Sequence, residues 1–156
     1  MSSQALRLFR RLGGSPSGRW LFSKLICRRA PYFASIAPRI ELLEPGRCIV
    51  QIRDRRAVRN HIGTVHAIAL CNMAELAGGL ATDATIPDAM RWIPKGMSVR
   101  YLAKARGTMT ATATVASIAD AAVAQELQAH VEVRDLGNTV VFEADIAMWV
   151  SLRKVA

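Results

Sequence analysis

Apolar and polar positions change rhythm several times along the chain, and each rhythm predicts an element. Residues 3 to 12 and 17 to 29 carry apolar residues at helical spacing, separated by the turn-rich GGSPSG and stopped at Pro31. The stretch IAPRIELLEPGRCIVQIRD predicts two short strands around Pro45-Gly46. In the second, Cys48, Val50 and Ile52 alternate with Ile49, Gln51 and Arg53. From about Thr64 to Thr82 the chain is apolar all round, broken by Asn72 and Glu75. Beyond a loop holding Pro87 and Pro94, period two dominates. GMSVRYLA sets Met97, Val99 and Tyr101 on one face, and TMTATATVAS alternates threonine with apolar residues. QELQAHVEVRD sets Leu127, Ala129, Val131 and Val133 against polar neighbours. NTVVFEADIAMWVSL puts Val140, Phe142, Ala144, Ile146, Met148 and Val150 on one side. DLGN at 135–138 and KARG at 104–107 predict tight hairpins.

A helix that is apolar all round must be buried on most sides. With helices first, then two strands, one long helix and four antiparallel strands, the order predicts a sheet curled around a single central helix, an α+β layer architecture.

Composition narrows the class. At 156 residues with 51% hydrophobic content the chain is long enough for one domain with a proper core. The apolar run at 64–82 is too short and too polar to span a bilayer. Cys27, Cys48 and Cys71 have neither ligand spacing nor an even count, and the three histidines are dispersed. These features argue against a disulfide framework and a metal site, and fit a reducing cytoplasm. The net charge of +9 is uneven: residues 1–40 hold eight Arg and Lys and no acid, while the remainder holds thirteen bases and twelve acids. Such a segment suits a membrane surface, a nucleic acid or an acidic cofactor or carrier, and it resembles a mitochondrial presequence, which would place the protein in the matrix. The apolar residues Trp20, Leu21, Phe22, Leu25 and Ile26 have the spacing of a helix docked on a core. Two units are therefore expected: a basic helical segment, 1–30, packed on a domain of residues 31–156. No nucleic-acid-binding motif or exposed aromatic run accompanies the basic charge.

The stretch NHIGTVHAIALCNMAELAGG, residues 60–79, carries the candidate chemistry. Asn60, His66 and Glu75 stand six and fifteen residues apart, in the pattern of an Asn, a His and a carboxylate. Together with the element order this resembles the hotdog-fold thioesterases, specifically the phenylacetate-pathway-type acyl-CoA thioesterases. It is most similar to an uncharacterised branch with N-x-x-G-T-x-x-A and a helical Glu. The similarity covers roughly residues 39–152. In that family a Gly follows the His, and its N–H polarises the thioester carbonyl; the matching position here is Ala67. The segment YLAKARG resembles the family's Y-x-x-P-A-x-x-G, shortened and without its proline. The resemblance assigns no particular residue of DAMRWIPKGMSV to the family's Ser or Thr from the second subunit. The resemblance implies an acyl-CoA thioester as substrate, with coenzyme A entering as part of it and no separate cofactor. It also implies a homodimer with shared active sites, or a tetramer built from one.

The residues themselves support parts of that chemistry. A carboxylate on a buried helix is costly to ionise, so Glu75 is expected to have a raised pKa suited to a general base or a nucleophile. Asn72, three residues back, could orient it, and Gly79, one turn on, would let a backbone or ligand approach. The first N–H groups of the helix lack intrahelical acceptors. With Thr64 as the expected N-cap, His66 or Ala67 could aim an N–H at the carbonyl oxygen, a contribution of roughly 3 kcal/mol in known oxyanion holes. Alternatively, Asn60 and His66 brace the loop, and Glu75 is a structural acid. Nine residues put His66 and Glu75 on opposite helix faces, about 13 Å apart along the axis. A site using both must therefore join two subunits. Lys95, Arg100, Lys104 and Arg106 are candidates for the phosphates of coenzyme A. His61 precedes Glu75 by fourteen residues, the spacing of hotdog dehydratases, but without their Pro-Gly turns. His130 reads as a solvated strand residue. A non-catalytic acyl-CoA or fatty-acyl binder remains the other reading of the same stretch.

Overall fold

In chain order the elements are α1 (Gln4–Leu12), α2 (Pro16–Arg29), a 3₁₀ turn (Pro31–Ile36), β1 (Arg39–Glu44), β2 (Arg47–Ile52), α3 (Ala67–Thr85), β3 (Met90–Tyr101), β4 (Met109–Val115), β5 (Gln125–Arg134) and β6 (Val140–Leu152). They are seen in a computed structural model that describes residues 3–153. The ends of the two expected units, residues 1–2 and 154–156, lie outside it. The fold is α+β. One six-stranded antiparallel sheet, ordered β1-β2-β4-β5-β6-β3, curls around α3.

The period-two patterns become the inner face of that sheet. Cys48, Val50 and Ile52, then Met109, Ala111 and Ala113, then Ala129, Val131 and Val133 are buried, as are Phe142, Ala144, Ile146, Met148 and Val150. They close on Met73, Ala74, Ala77 and Ala81 of α3, each fully buried. Small residues on the helix let the sheet approach it, and each large side chain removed from water there contributes about 1.5–3 kcal/mol. In β6 the pattern starts one residue late. Val141 is buried and Val140 is not, because the β5–β6 register shifts between Val133 and Arg134.

Three expectations about connections need correction. The helix begins at Ala67, not Thr64, and runs to Thr85. Pro94 is not in a loop: β3 starts at Met90 and contains it, at a register shift between Pro94 and Gly96. A proline is tolerated there because β3 is an edge strand with one side unpaired. KARG at 104–107 is not a hairpin, since β3 pairs with β6, and β4 pairs with β2 and β5; the segment crosses from one side of the sheet to the other. DLGN does close the β5–β6 hairpin, with Asp135 N donating to Thr139 O and Asn138 at φ 64°.

The two sheet edges are treated differently. Ser3 caps α1 and Ser15 caps α2, where Pro16 occupies the first turn and needs no acceptor. The two helices join through Phe9 and Phe22, edge to face with centroids 5.1 Å apart. Ser23 Oγ accepts from Ile40 N at 2.9 Å, and Arg19 pairs with Glu41 at 2.8 Å, so α2 covers the β1 edge. The outer edge of β3 has no such cover. Among the described residues no helix is long and apolar enough to cross a membrane.

Candidate active site

The loop before α3 is built around Asn60. Its Oδ1 accepts from Ile62 N and Thr64 N, both at 3.1 Å, and its Nδ2 donates to Thr64 Oγ1 at 2.8 Å. Gly63, at φ 75°, makes the turn that closes this ring. Asn60 is thereby a loop brace, and Thr64, buried beneath it, cannot be the expected N-cap. His66 is: its backbone is extended and its Nδ1 accepts from Ile68 N at 3.0 Å. Accepting at Nδ1 leaves the ring proton on Nε2. The Ala67 N–H, first of the helix, meets no acceptor among the described residues. It is one of the donors that every helix start leaves over.

Two recesses flank this helix start. One, of about 370 Å³, is lined by Asn60, Thr64, Ala67, Tyr101, Leu102 and Lys104, among others. The other, of about 170 Å³, has Ser35, Arg59, His66 and Asn72 in its wall. The expected site residues are thus divided: Asn60, Ala67 and Lys104 share one side, His66 and Asn72 the other.

Glu75 lines neither recess. It is exposed, with no hydrogen bond or ion pair among the described residues, on a helix whose neighbouring positions 72, 73, 74, 76, 77, 78 and 79 are all buried. The expected burial of Glu75 is therefore absent in the single chain. Asn72 does not orient it either. Asn72 Nδ2 donates to Ser35 Oγ at 3.1 Å, while its buried Oδ1 has no protein partner. The space beside Gly79 is filled by Trp92 of β3, not held open for a ligand.

Ala67, Cys71 and Glu75 follow at i, i+4 and i+8, one drifting stripe along α3. Cys71 Sγ lies 3.4 Å from Tyr101 Oη. That hydrogen bond, with some burial added, pushes the Tyr101 hydroxyl above its ordinary value. Ile68, 55% exposed, extends the stripe, and Met97 (39%) and Tyr101 (53%) face it from β3. Sequence reading passed over Cys71, Ile68 and Tyr101 as site residues. Spacings of four and seven residues back from Glu75 were the signal that could have found the first two.

The basic candidates also divide. Arg100 Nε donates to Glu143 Oε2 at 3.0 Å, and Lys95 lies over the Trp149 ring, 4.8 Å from its centroid. Glu143 and Trp149 alternate with the buried β6 residues, so both pairs occupy the outer face of the sheet, away from α3. Lys104 and Arg106 are exposed in the crossing segment. Asp54 ties that segment to the loop: it accepts from Arg59 Nε at 2.6 Å and from Gly107 N at 3.0 Å. The Arg59 hydrogen bond above all, then that from Gly107, holds the Asp54 carboxyl below its usual range. His61 is exposed, and His130 Nδ1 lies 2.8 Å from Asp145 Oδ1 on a strand surface. Among the described residues no group of three His, Cys, Asp or Glu side chains is placed to hold a metal ion.

The helix start can donate an N–H to an oxyanion, and Glu75 offers a carboxylate to whatever covers it. Known proteins share this scaffold. The genomics protein APC5556 is 45% identical with a TM-score of 0.81, over 96% of this chain and 98% of that one. A thioesterase from Haemophilus influenzae superposes with a TM-score of 0.72 at 14% identity, over 82% of this chain and 87% of its own. A thioesterase from Staphylococcus aureus, solved with a glutamine replaced by alanine, does so with a TM-score of 0.70 at 15% identity, over 78% and 98%. The same protein was also solved with a glutamate replaced, fifteen positions further on. No curated protein matches the chain. The family described as a domain of unknown function, DUF4442, matches residues 18–150, and with its hotdog fold the chain belongs to that family.

Proposed function

We propose that the protein hydrolyses acyl-CoA thioesters in active sites assembled between two copies of the chain. Glu75 carries this reading: it is a carboxylate turned outward from a buried helix, with no hydrogen-bond or ion-pair partner among the described residues, beside an uncovered sheet edge. A long edge strand with Ile93, Met97 and Tyr101 more than a third exposed is a template for pairing with a second copy. Antiparallel pairing of two β3 strands would bring the two α3 helices side by side. It would also cover Glu75, which is exposed in the single chain. In the Staphylococcus aureus thioesterase the two altered positions stand fifteen apart, as do Asn60 and Glu75.

In the proposed reaction the Ala67 N–H, aided by the helix dipole, receives the thioester carbonyl oxygen. Glu75 of the partner subunit takes a proton from water, whose oxygen bonds to the carbonyl carbon. The tetrahedral intermediate then expels the thiolate of coenzyme A, leaving a carboxylic acid. Direct attack by the Glu75 carboxylate, giving an anhydride that water opens, uses the same geometry. Lys104, at the rim of the Ala67 recess, is the basic candidate best placed for coenzyme A phosphates. Three free cysteines suit a reducing compartment, the cytoplasm.

The second reading, an acyl-CoA or fatty-acyl binder without turnover, draws on Asn60 being engaged in its own loop and on the methyl of Ala67 where the family has glycine. Release of free thiol from a panel of acyl-CoAs separates the two. Turnover that falls in Glu75→Ala supports hydrolysis; binding without turnover at any chain length replaces it with the second reading.

A further inference from the structure

We propose that the outer face of α2 docks the protein on an anionic phospholipid surface, a contact independent of the thioester chemistry. α2 is apolar on two sides. Phe22, Ser23 and Cys27 face the domain and are buried. Away from the domain Trp20 is 57% exposed, Leu21 42% and Leu25 39%, spread around the solvent side of the helix, with Trp20 at its edge next to Cys27. Lys24 Nζ lies 5.7 Å from the Trp20 ring centroid, and Leu21 and Leu25 stay more than a third exposed on a helix that already buries its other face.

Cations lie among these apolar residues as well as beside them: at about 100° per residue Lys24 and Arg28 fall between Trp20 and Leu21 around the helix, and all four are exposed. Between α2 and the β1–β2 sheet lies a recess of about 550 Å³ walled by Trp20, Lys24, Arg39, Arg53 and Arg55, with no acid in its lining. Arg55 Nη2 is engaged with Ser35 O at 2.6 Å, but its buried Nε has no acceptor. Between α1, α2 and the end of α3 lies a second recess, of about 870 Å³, bearing Arg11, Arg28 and Arg29 beside Leu25. This second recess also contains Asp83 and Asp88, the latter paired with Arg7 at 2.7 Å. Among the described residues Arg11, Lys24, Arg28, Arg29 and Arg53 form no ion pair. Through residue 40 the chain holds no acid to offset them.

An exposed helix face that mixes a tryptophan and two leucines with Lys24, Arg28 and Arg29 suits the interface of an anionic bilayer. The indole and leucines reach the level of the acyl boundary while guanidiniums meet headgroup phosphates, often through paired hydrogen bonds. A nucleic acid would satisfy the cations and leave Leu21 and Leu25 in water. A second copy of the same face would set like charges against each other.

Cosedimentation of the full chain with vesicles tests this, comparing phosphatidylglycerol mixed into phosphatidylcholine with phosphatidylcholine alone. Partition onto the anionic vesicles is expected, falling as salt rises. Joint Lys24→Glu and Arg28→Glu substitution should weaken it at least about tenfold, by the charge dependence of juxtamembrane basic residues. A blue shift of tryptophan emission on vesicle addition should disappear in Trp20→Phe. No partition by the unaltered chain, or equal partition onto both vesicles, overturns the proposal whether or not the variants fold. Undiminished partition of the folded charge-reversed variant also overturns it. So does tighter binding to an oligonucleotide that anionic vesicles fail to displace.

Discussion

Gly79 and Trp92 lock α3 to β3: a Cβ built on Gly79 would lie 2.5 Å from Cη2 of the Trp92 indole and 3.1 Å from Cζ2. An indole is rigid, and Trp92 is held in register with Val150 of β6, so neither side can yield cheaply. Gly79→Ala is therefore expected to destabilise the fold despite the better helix propensity of alanine. Overpacking costs typically 1–3 kcal/mol against about 1 kcal/mol gained. Urea denaturation should show a lower midpoint, and Trp92→Phe in the Gly79→Ala background should recover part of the loss. A midpoint that rises in Gly79→Ala would mean the ring has somewhere to go.

Glu75 should separate stability from activity. Its carboxylate makes no hydrogen bond or ion pair among the described residues, so Glu75→Ala should leave the urea midpoint unchanged or raise it, as removing an unpaired charge near an interface would. Loss of a general base should lower acyl-CoA hydrolysis by about 10²–10⁴-fold. A midpoint that drops along with activity would identify Glu75 as a structural acid instead.

Periodicity made most of the fold legible. Alternation marked β4, β5 and β6, and the all-round apolar run at 64–82 could only be a helix surrounded by sheet. What escaped was whatever depends on partners distant in sequence. Pro94 reads locally as a loop residue, and only an unpaired edge makes it admissible inside β3. KARG has the composition of a turn, but its flanking strands pair elsewhere. In the candidate site, Thr64 is a better N-cap by residue type than His66. Asn60 claims its hydroxyl and shifts the cap two residues on. Glu75 was legible as an oddity, while its exposure was not, since flanking residues predict burial and only the curl of the sheet decides which stripe stays open.

Asp54 gives the loop a pH dependence. Its carboxyl is held below the usual range by Arg59 and Gly107, so the folded state binds a proton less readily than the unfolded chain. The stabilisation is fully present above the unfolded-state value of about 3.9 and is lost as pH falls through the lower folded-state value. Wild-type stability should accordingly fall more steeply than that of Asp54→Asn below about pH 4. At neutral pH Asp54→Asn should have the lower midpoint, because Arg59 and the β3–β4 segment lose their charged acceptor. Parallel curves for the two proteins across acid pH would remove Asp54 from the account.

A shared site makes a prediction that a site within one chain cannot. Ala67 is the first residue of α3, where proline fits because its missing N–H has no helical partner to lose. His66 before it sits at φ −65° and ψ 140°, a conformation a following proline accepts. Ala67→Pro should therefore fold while removing the one N–H proposed to hold the oxyanion, and alone it should be as impaired as Glu75→Ala. Mixed and reassociated in equal amounts, the two variants form heterodimers in which one site pairs an intact Ala67 with an intact Glu75. Random pairing makes half the dimers mixed, each with one working site of two, so activity should recover to about a quarter of wild type. If Ala67 and Glu75 of the same chain served one thioester, every site in the mixture would lack one of them. Activity would then stay at the level of the separate variants.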